Sequence, residues 1–557
     1  MGHFLFFVFV VASCLLWSAA CTAAAARTRR LWLRRLLVAV AVLAPVVALA
    51  PFVAFTGFLA FVKHLPTNWF GPTLATCLSA LIGGTWIVWA GLARENAQRL
   101  RAEADAVPLA ARWPVVGLAA AFVMAKAVSF GTLLFIDNAV AAQAPYLRLE
   151  AAQLMQNNLP PMVAESQNAA PLYQQSFAIL DADPAIREQD SPLTKATTID
   201  VASPDVIDLL ARHAATLDLI RRAADRDSCR YQRDWTRPSF DMLLPEMQSL
   251  RKAAQLLVLT TRREAADGNA DDALRDVARI QRIGRHAASE PILISNLVGI
   301  AIDTMALDTL AQVLPTLRKS DLAVIDAPEI RDLITTPPAF VSHLYGEEAF
   351  GLSIFADLAD DQRSGPDLVS LVGSLVGNGQ PQPSALRALP LSLPYRVFFL
   401  PADLAGYRSI MTRYQAAASR TEPYPDLTKR IDAIEAQTRD RPPGMLSSMI
   451  VPALGSVFKA QTRSIANHRA ATALVAATKQ RLETGAVPES FDELAAQLVP
   501  PASRDPFTAD QSLVMTRTDD TLLVYSVGPD GEDDGGPVAP GADKVEGNDD
   551  VGLRMAL

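Results

Sequence analysis

Four long apolar stretches in the first quarter of the chain constrain its fold more than any other feature. They cover residues 4–26, 36–62, 70–93 and 113–136, and each exceeds the roughly 20 residues that span the hydrocarbon core of a bilayer. Apolar residues make up 50% of the 557 residues. The mean hydropathy of +0.17 is too high for one ordinary water-soluble domain of this length. The sequence therefore predicts a membrane domain of four transmembrane helices over residues 1–137.

Arginine clusters predict the orientation of these helices. Five arginines lie between the first two stretches and four lie between the last two. In the loop 63–69, between the second and third stretches, Lys63 is the one Lys or Arg residue. Because short cytoplasmic loops concentrate Lys and Arg, the N-terminus and all residues after 137 should lie outside. The chain has 42 arginines against 9 lysines, which is typical of a GC-rich bacterial genome. We expect a multi-pass protein of the bacterial inner membrane with a periplasmic N-terminus and a periplasmic C-terminal domain.

The membrane part leaves two questions open. The first stretch could be a cleaved signal peptide, although its arginines follow the apolar run instead of preceding it. The residues Ser18-Ala19-Ala20-Cys21 faintly resemble a lipoprotein cleavage box, but without the leucine that such a box needs at the position of Ser18. Lys126 is the one charge well inside a predicted span, and it is either a functional residue or one whose stem extends toward the lipid headgroups.

Charge and cysteine content exclude several classes of function for the soluble part. Residues 1–137 carry 11 Lys and Arg against 4 Asp and Glu, whereas residues 138–557 carry 40 against 55. A phosphate-backbone binder needs a basic face, so nucleic acid is not an expected partner. Of the four cysteines only Cys229 lies outside the apolar stretches. This excludes a disulfide framework and a cysteine-based zinc site.

Helical periodicity dominates the first soluble domain, residues 138–336. Two amphipathic helices within residues 243–314 meet at Gly268-Asn269, a pair typical of a left-handed helix end, and predict an antiparallel hairpin. A third, more apolar helix follows from Glu290 to Leu314. Residues 337–449 alternate apolar bursts with Gly and Pro. They predict irregular packing over the helical core or an interfacial segment anchored by aromatic side chains, namely Tyr395, Phe398, Phe399 and Tyr407.

The last domain, residues 450–557, has a distinct order of elements. A long helix over 453–484 precedes Asp505-Pro506-Phe507, two short strands at 512–517 and 521–527, and the run Tyr525-Ser526-Val527-Gly528-Pro529-Asp530-Gly531. This order resembles the globular part of the major pseudopilins of type II secretion. The resemblance implies an α+β module in which a long helix packs on a small antiparallel sheet.

The resemblance also implies a calcium site in the loop after the second strand. Calcium binds six to eight hard oxygen atoms, and a Gly-rich loop dense in Asp can supply them. The implied ligands are the Val527 carbonyl and the carboxylates of Asp530, Asp549 and Asp550, with Asp533 and Asp534 as substitutes. The chain departs from the family in lacking its methylated N-terminal segment and in an apparent insertion, Pro537 to Glu546. The alternative interpretation is a solvated acidic tail.

No pattern of catalytic residues stands out in the sequence, so we expect a structural or partner-binding protein of the cell envelope and not an enzyme. Its expected partners are the lipid bilayer and other envelope proteins. The alternative is a membrane-associated hydrolase of a lipid or cell-wall substrate that uses carboxylates between 347 and 361, namely Glu347, Glu348, Asp360 and Asp361. A sensor is a third hypothesis, weakened by cytoplasmic loops that are too short for a signalling domain.

Overall fold

The structure is a computed structural model. It describes residues 135–360 and 396–557 and a few residues between 21 and 39, apart from short gaps at 188–190, 239–241, 243, 336–339, 397–398, 421–422, 441, 445, 452–453, 499–501 and 539–546. The chain divides into two compact units. The first combines residues 1–147, 354–408 and 437–451, and the second combines residues 148–353, 409–436 and 452–557. These units differ from the four consecutive domains that the sequence predicts.

Helices dominate the described residues. The first group runs to the end of the apolar third helix: α1 Ala144–Asn158, α2 Ala170–Ala182, α3 Pro184–Arg187, α4 Pro204–Arg212, α5 Ala214–Ala224, α6 Pro245–Ala266, α7 Ala270–Ala287 and α8 Leu293–Val313. The second group comprises α9 Leu322–Ile325, α10 Pro328–Thr335, α11 Val341–Ala359, α12 Leu400–Ala418, α13 Tyr424–Asp440, α14 Ser447–Ile450, α15 Leu454–Thr484 and α16 Phe491–Ala495.

The predicted hairpin is confirmed as α6 and α7. Gly268 joins them with φ +83°, a left-handed conformation that favours glycine. Helix α8 packs closely on α7 because two glycines face each other. A Cβ atom added to Gly299 would lie 2.8 Å from the carbonyl oxygen of Gly284. Leu257, Ile283 and Ile302 belong to the apolar core that α6, α7 and α8 share with α2, α4 and α5.

A second apolar core joins the hairpin to the carboxyl-terminal sheet. Strands β1 Val514–Arg517, β2 Thr521–Ser526 and β3 Val551–Ala556 form an antiparallel sheet in the order β1-β2-β3. Leu474 of α15, Leu310 of α8 and Val524 of β2 are buried in the same core. One apolar core thus contains side chains of the hairpin, of α8, of α15 and of the sheet.

In the first unit, the described residues show two buried polar anchors. Asp403, 1% exposed, accepts the backbone N–H groups of Leu446 at 2.7 Å and Ser447 at 2.9 Å. It thereby satisfies donors at the start of α14 that have no partner within the helix. Arg396 forms an ion pair with Asp137 at 2.8 Å.

The predicted fold class, with four transmembrane helices, is wrong. The described residues are mostly helical with a small sheet, and they include one helix long and apolar enough to cross a membrane, Leu293–Thr316. That helix is none of the four predicted spans, and 61% of its apolar window is buried. It is apolar on most sides because it lies between α7 and α15. The four predicted stretches and Lys126 lie almost wholly outside the described residues.

The segment 337–449, expected to be irregular, is helical over most of its described length. Glycine there does not mark a break in the chain. A Cβ atom on Gly346 of α11 would lie 1.5 Å from the carbonyl oxygen of Pro291, so glycine allows this helix to approach the start of α8. Of the predicted interfacial anchors, Tyr407 is buried and contacts Phe355, Phe399 is partly buried, and Tyr395 and Phe398 lie outside the described residues.

Candidate functional site

The loop between β2 and β3 carries every residue that the pseudopilin resemblance proposes as a calcium ligand. Antiparallel pairing places Ser526 opposite Val551, so the two ends of this loop lie side by side. We call these ends, residues 527–536 and 547–550, the strand junction. Val527, Asp530, Asp533 and Asp534 belong to the first end, and Asp549 and Asp550 to the second.

Asp505 fixes the first end of the strand junction. This side chain is 2% exposed. Its Oδ2 accepts the backbone N–H of Val527 at 3.0 Å, and its Oδ1 accepts the Ser526 hydroxyl at 2.6 Å. The same Oδ1 accepts the N–H of Phe507 at 2.8 Å. The Asp505-Pro506-Phe507 motif therefore acts as a brace for the end of β2.

Gly528 allows the two ends of the loop to touch. It has φ +73°, and a Cβ atom there would lie 2.2 Å from the carbonyl oxygen of Asp549. Any other residue would have to push the second end away and adopt an unfavourable backbone conformation. The close approach brings Asp550 under the turn formed by residues 534–536, as its hydrogen bonds show.

Asp550 is the most enclosed acidic residue of the strand junction, at 8% exposed. Its Oδ2 accepts the N–H groups of Asp534 at 3.1 Å and Gly536 at 2.7 Å. Asp534 reciprocates, because its Oδ2 accepts the N–H of Asp549 at 3.1 Å. The Oδ1 of Asp550 is buried and has no hydrogen-bond partner among the described residues.

The local electrostatics disfavour the charged form of Asp550. Burial, together with the nearby carboxylates of Asp533 and Asp534, raises the pKa of this carboxyl group to about 6, against the lowering effect of the two backbone N–H groups. Three acidic residues therefore crowd a site with unbalanced negative charge. Such a site favours a cation or a proton.

The remaining proposed ligands are engaged elsewhere. The carboxylate of Asp549 pairs with Lys459 at 3.1 Å and Arg463 at 2.8 Å, both on α15. Asp530 is exposed, and its Oδ1 accepts the N–H of Glu532 at 3.2 Å. Asp533 accepts the Tyr525 hydroxyl at 2.9 Å. The structure thus brings Asp533, Asp534 and Asp550 together and directs Asp549 and Asp530 away from them.

The donors fit calcium in part. No group of three or more His, Cys, Asp or Glu side chains in the described ranges is arranged to hold a metal ion. Calcium also accepts backbone carbonyl groups and water as ligands. Asp550 Oδ1 has no hydrogen-bond partner among the described residues and could therefore bind a calcium ion. The neighbouring Asp534 is exposed and could supply a second carboxylate. The junction therefore has the charge for a calcium site but not a preformed cage of carboxylates.

A second polar centre, not predicted from the sequence, lies in the helical core. His468 Nε2 lies 2.7 Å from Asp303 Oδ2, and Gln281 Nε2 donates to Asp303 Oδ1 at 2.9 Å. All three side chains are 2% exposed. The hydroxyl of Ser464 donates to Asp303 Oδ2 at 3.4 Å. Asp303, an acidic residue within the largely apolar helix α8, was the signal that could have indicated this centre.

The structure describes three of the four carboxylates of the alternative hydrolase. Glu347 accepts the N–H of Leu293 at 3.0 Å at the start of α8, and burial raises the pKa of Glu347 to about 7. Glu348 instead accepts from Gln415 at 2.7 Å. Asp360 is partly buried at the end of α11, and Asp361 lies outside the described residues. Glu347 and Glu348 thus bond to two different elements of the second unit.

Comparisons with known proteins identify no relative. No protein-family model matches the chain, and no match was found among curated proteins or solved structures.

Proposed function

We propose that this chain is a non-catalytic binding protein whose strand junction takes up one calcium ion, and that this ion fixes the carboxyl-terminal sheet. One observation carries the proposal. Asp550 is 8% exposed, and its Oδ1 is buried without a partner among the described residues. A buried carboxylate oxygen without a partner is costly, and a calcium ion would remove that cost.

Two other buried carboxylates of the second unit are paired with arginine, whereas Asp550 has no arginine or lysine partner among the described residues. Asp276, 0% exposed, accepts hydrogen bonds from Arg221 at 2.9 Å and from Arg279 at 2.8 Å. Glu290, 2% exposed, accepts from Arg233 at 2.8 Å. The neighbours of Asp550 are instead Asp533 and Asp534, which raise its pKa. A divalent cation would supply the missing positive charge.

Two further features support a structural or partner-binding role. The long helix α15 packs on a three-stranded antiparallel sheet, the arrangement that the pseudopilin resemblance implies. Glu347 and Glu348, the acids of the alternative hydrolase, are held apart by different partners. A location in the cell envelope and contacts with other envelope proteins stay predictions from the sequence.

Thermal melting of the full-length protein in calcium, in magnesium and in chelator tests the proposal. Calcium at roughly 100 times its Kd should stabilise the native protein by about 2.7 kcal/mol. Asp550→Asn should abolish this gain, whereas the matched change Asp530→Asn, at an exposed acid of the same loop, should preserve it. The proposal fails if the native protein gains no stability from calcium, or if Asp550→Asn gains as much.

A further inference from the structure

A basic cleft lies between α12 and α13, on the part of these helices that belongs to the second unit. It encloses about 700 Å³. Its rim carries four cationic side chains and one acidic side chain, namely Arg413, Arg420, Lys429, Arg430 and Asp426. The chain as a whole has a net charge of −8. The cleft is therefore a locally positive, concave surface on a protein whose net charge is negative.

Two of the four cations of the cleft, Arg413 and Arg420, have no counterion among the described residues. Asp426 lies 3.4 Å from Lys429, but these side chains are 58% and 78% exposed, so solvent screens their attraction. The side chains of Arg413 and Arg420 form no hydrogen bond or ion pair with any residue that the structure describes. At least two guanidinium groups are thus available to a ligand.

The size and lining of the cleft indicate the class of ligand. A volume of about 700 Å³ lies within the roughly 300–1,000 Å³ typical of small-molecule sites. A guanidinium group presents a planar fork of donors that matches phosphate oxygens. The floor includes Ile434, which is 2% exposed, so an apolar part of the ligand can rest beside the charged part.

We propose that this cleft binds the phosphate group of an organic phosphate, with Arg413 and Arg420 as the forked donors. The same chemistry is offered by a soluble phosphate ester and by the headgroup of an anionic lipid. The cleft shares no residue with the strand junction, so this proposal does not rest on the proposed calcium site.

Two probes on the full-length protein test this site and distinguish the sources. Inorganic pyrophosphate, titrated by calorimetry at low salt, represents a soluble phosphate. Flotation with phosphatidylcholine vesicles, with and without phosphatidylglycerol, represents a lipid headgroup. Binding of pyrophosphate alone would support the proposal for a soluble ester, and binding only of phosphatidylglycerol vesicles would support it for a lipid.

Matched double variants locate the binding. Arg413→Gln with Arg420→Gln should weaken binding of the active probe by at least about tenfold, because each lost arginine removes charge-assisted hydrogen bonds. Arg237→Gln with Arg251→Gln removes the same charge at exposed positions elsewhere and should leave binding unchanged. The proposal is overturned if neither probe binds the native protein, or if the two double variants lose binding equally. Melting curves without probe show whether each variant is folded.

Discussion

Asp303 shows how one residue can organise several helices. It lies on α8 and is joined to α7 through Gln281 and to α15 through His468. Each of its carboxylate oxygens accepts a hydrogen bond or contacts the histidine, and all three side chains are buried. Buried polar groups with satisfied partners restrict how helices can slide past one another. We interpret this centre as a structural clamp.

Asp303→Ala should destabilise the protein strongly. It leaves His468 and Gln281 buried without their shared acceptor, and loss of one member of a buried polar pair costs about 3 kcal/mol or more. Chemical denaturation of the full-length protein measures the free energy of unfolding. Asp218→Ala, at an exposed acid that lies 3.6 Å from Arg222, should change it by less than about 0.5 kcal/mol. Similar losses in the two variants would contradict the clamp.

Asp550 should give the stability of the protein a distinctive pH dependence. Its pKa in the folded protein is about 6, above the roughly 3.9 of an unfolded chain. The folded state therefore binds a proton more tightly, and the charged carboxylate destabilises the fold above pH 6. In chelator, Asp550→Asn should melt above the native protein at pH 7, and the difference should shrink as the pH falls to 5. A difference that grows over this range would contradict the assignment.

At the scale of elements, glycine contacts decide how closely the helices pack. A Cβ atom on Gly299 would lie 2.7 Å from the Cβ of Ala288, which no real pair of atoms tolerates. Helices α7 and α8 would have to separate to admit it. Helices α7 and α8 can thus pack closely because glycine has no Cβ atom at Gly284 and Gly299.

Gly299→Ala should lower the free energy of unfolding. Overpacking costs about 1–3 kcal/mol, and the gain in helix propensity of about 1 kcal/mol offsets only part of it. The matched change is Gly455→Ala on α15, where the nearest atom is the flexible end of the Glu435 side chain at 2.7 Å. That variant should unfold close to the native protein. If Gly299→Ala proves as stable as Gly455→Ala, the contact between α7 and α8 is less close than described.

Periodicity in the sequence predicts most of the elements but not their contacts. The hairpin, the long helix α15 and the strands β1 and β2 each carry a local pattern, and each is present. Strand β3 was not predicted, because the alternation of buried and exposed side chains along it covers only six residues. Its partner β2 is also distant along the chain. Helix α11 was missed because Gly346 suggests a break, whereas tertiary packing against Pro291 explains it.

The sequence predicts which acidic residues lie at the candidate site, but not how their side chains are arranged. The sequence indicates two acidic ends of one loop, and the pairing of β2 with β3 brings those ends together. It does not indicate that Lys459 and Arg463 neutralise Asp549, because these cations precede it by 90 and 86 residues. Nor does it indicate which oxygen of Asp550 lacks a partner, since that depends on the folded turn at 534–536.

At the scale of the whole molecule, the chain divides into two compact units, each built from separate stretches of the sequence. Leu310 of α8 and Leu553 of β3 lie in one apolar core, so the helical and sheet parts complete each other. The apolar helix Leu293–Thr316 belongs to this assembly. Average hydropathy cannot distinguish such a core helix from a membrane span, because both bury their apolar faces.

Residues 450–557 should not fold when produced alone. Helix α15 contacts α8 as well as the sheet, and removal of α8 would expose side chains such as Leu474. Circular dichroism and amide NMR spectra of the fragment should show weak helicity and poor dispersion. A cooperative melting transition with well-dispersed amide signals would contradict the shared core and restore the predicted domain boundary at 449/450.

The most direct test of the account is a calorimetric titration of Ca²⁺ into the full-length protein at pH 7. We predict one ion bound per chain, with heat that disappears in Asp550→Asn and persists in Asp530→Asn. Absence of binding heat in the folded native protein, or equal heat in Asp550→Asn, would contradict the calcium site and leave the strand junction as a turn held by its own hydrogen bonds.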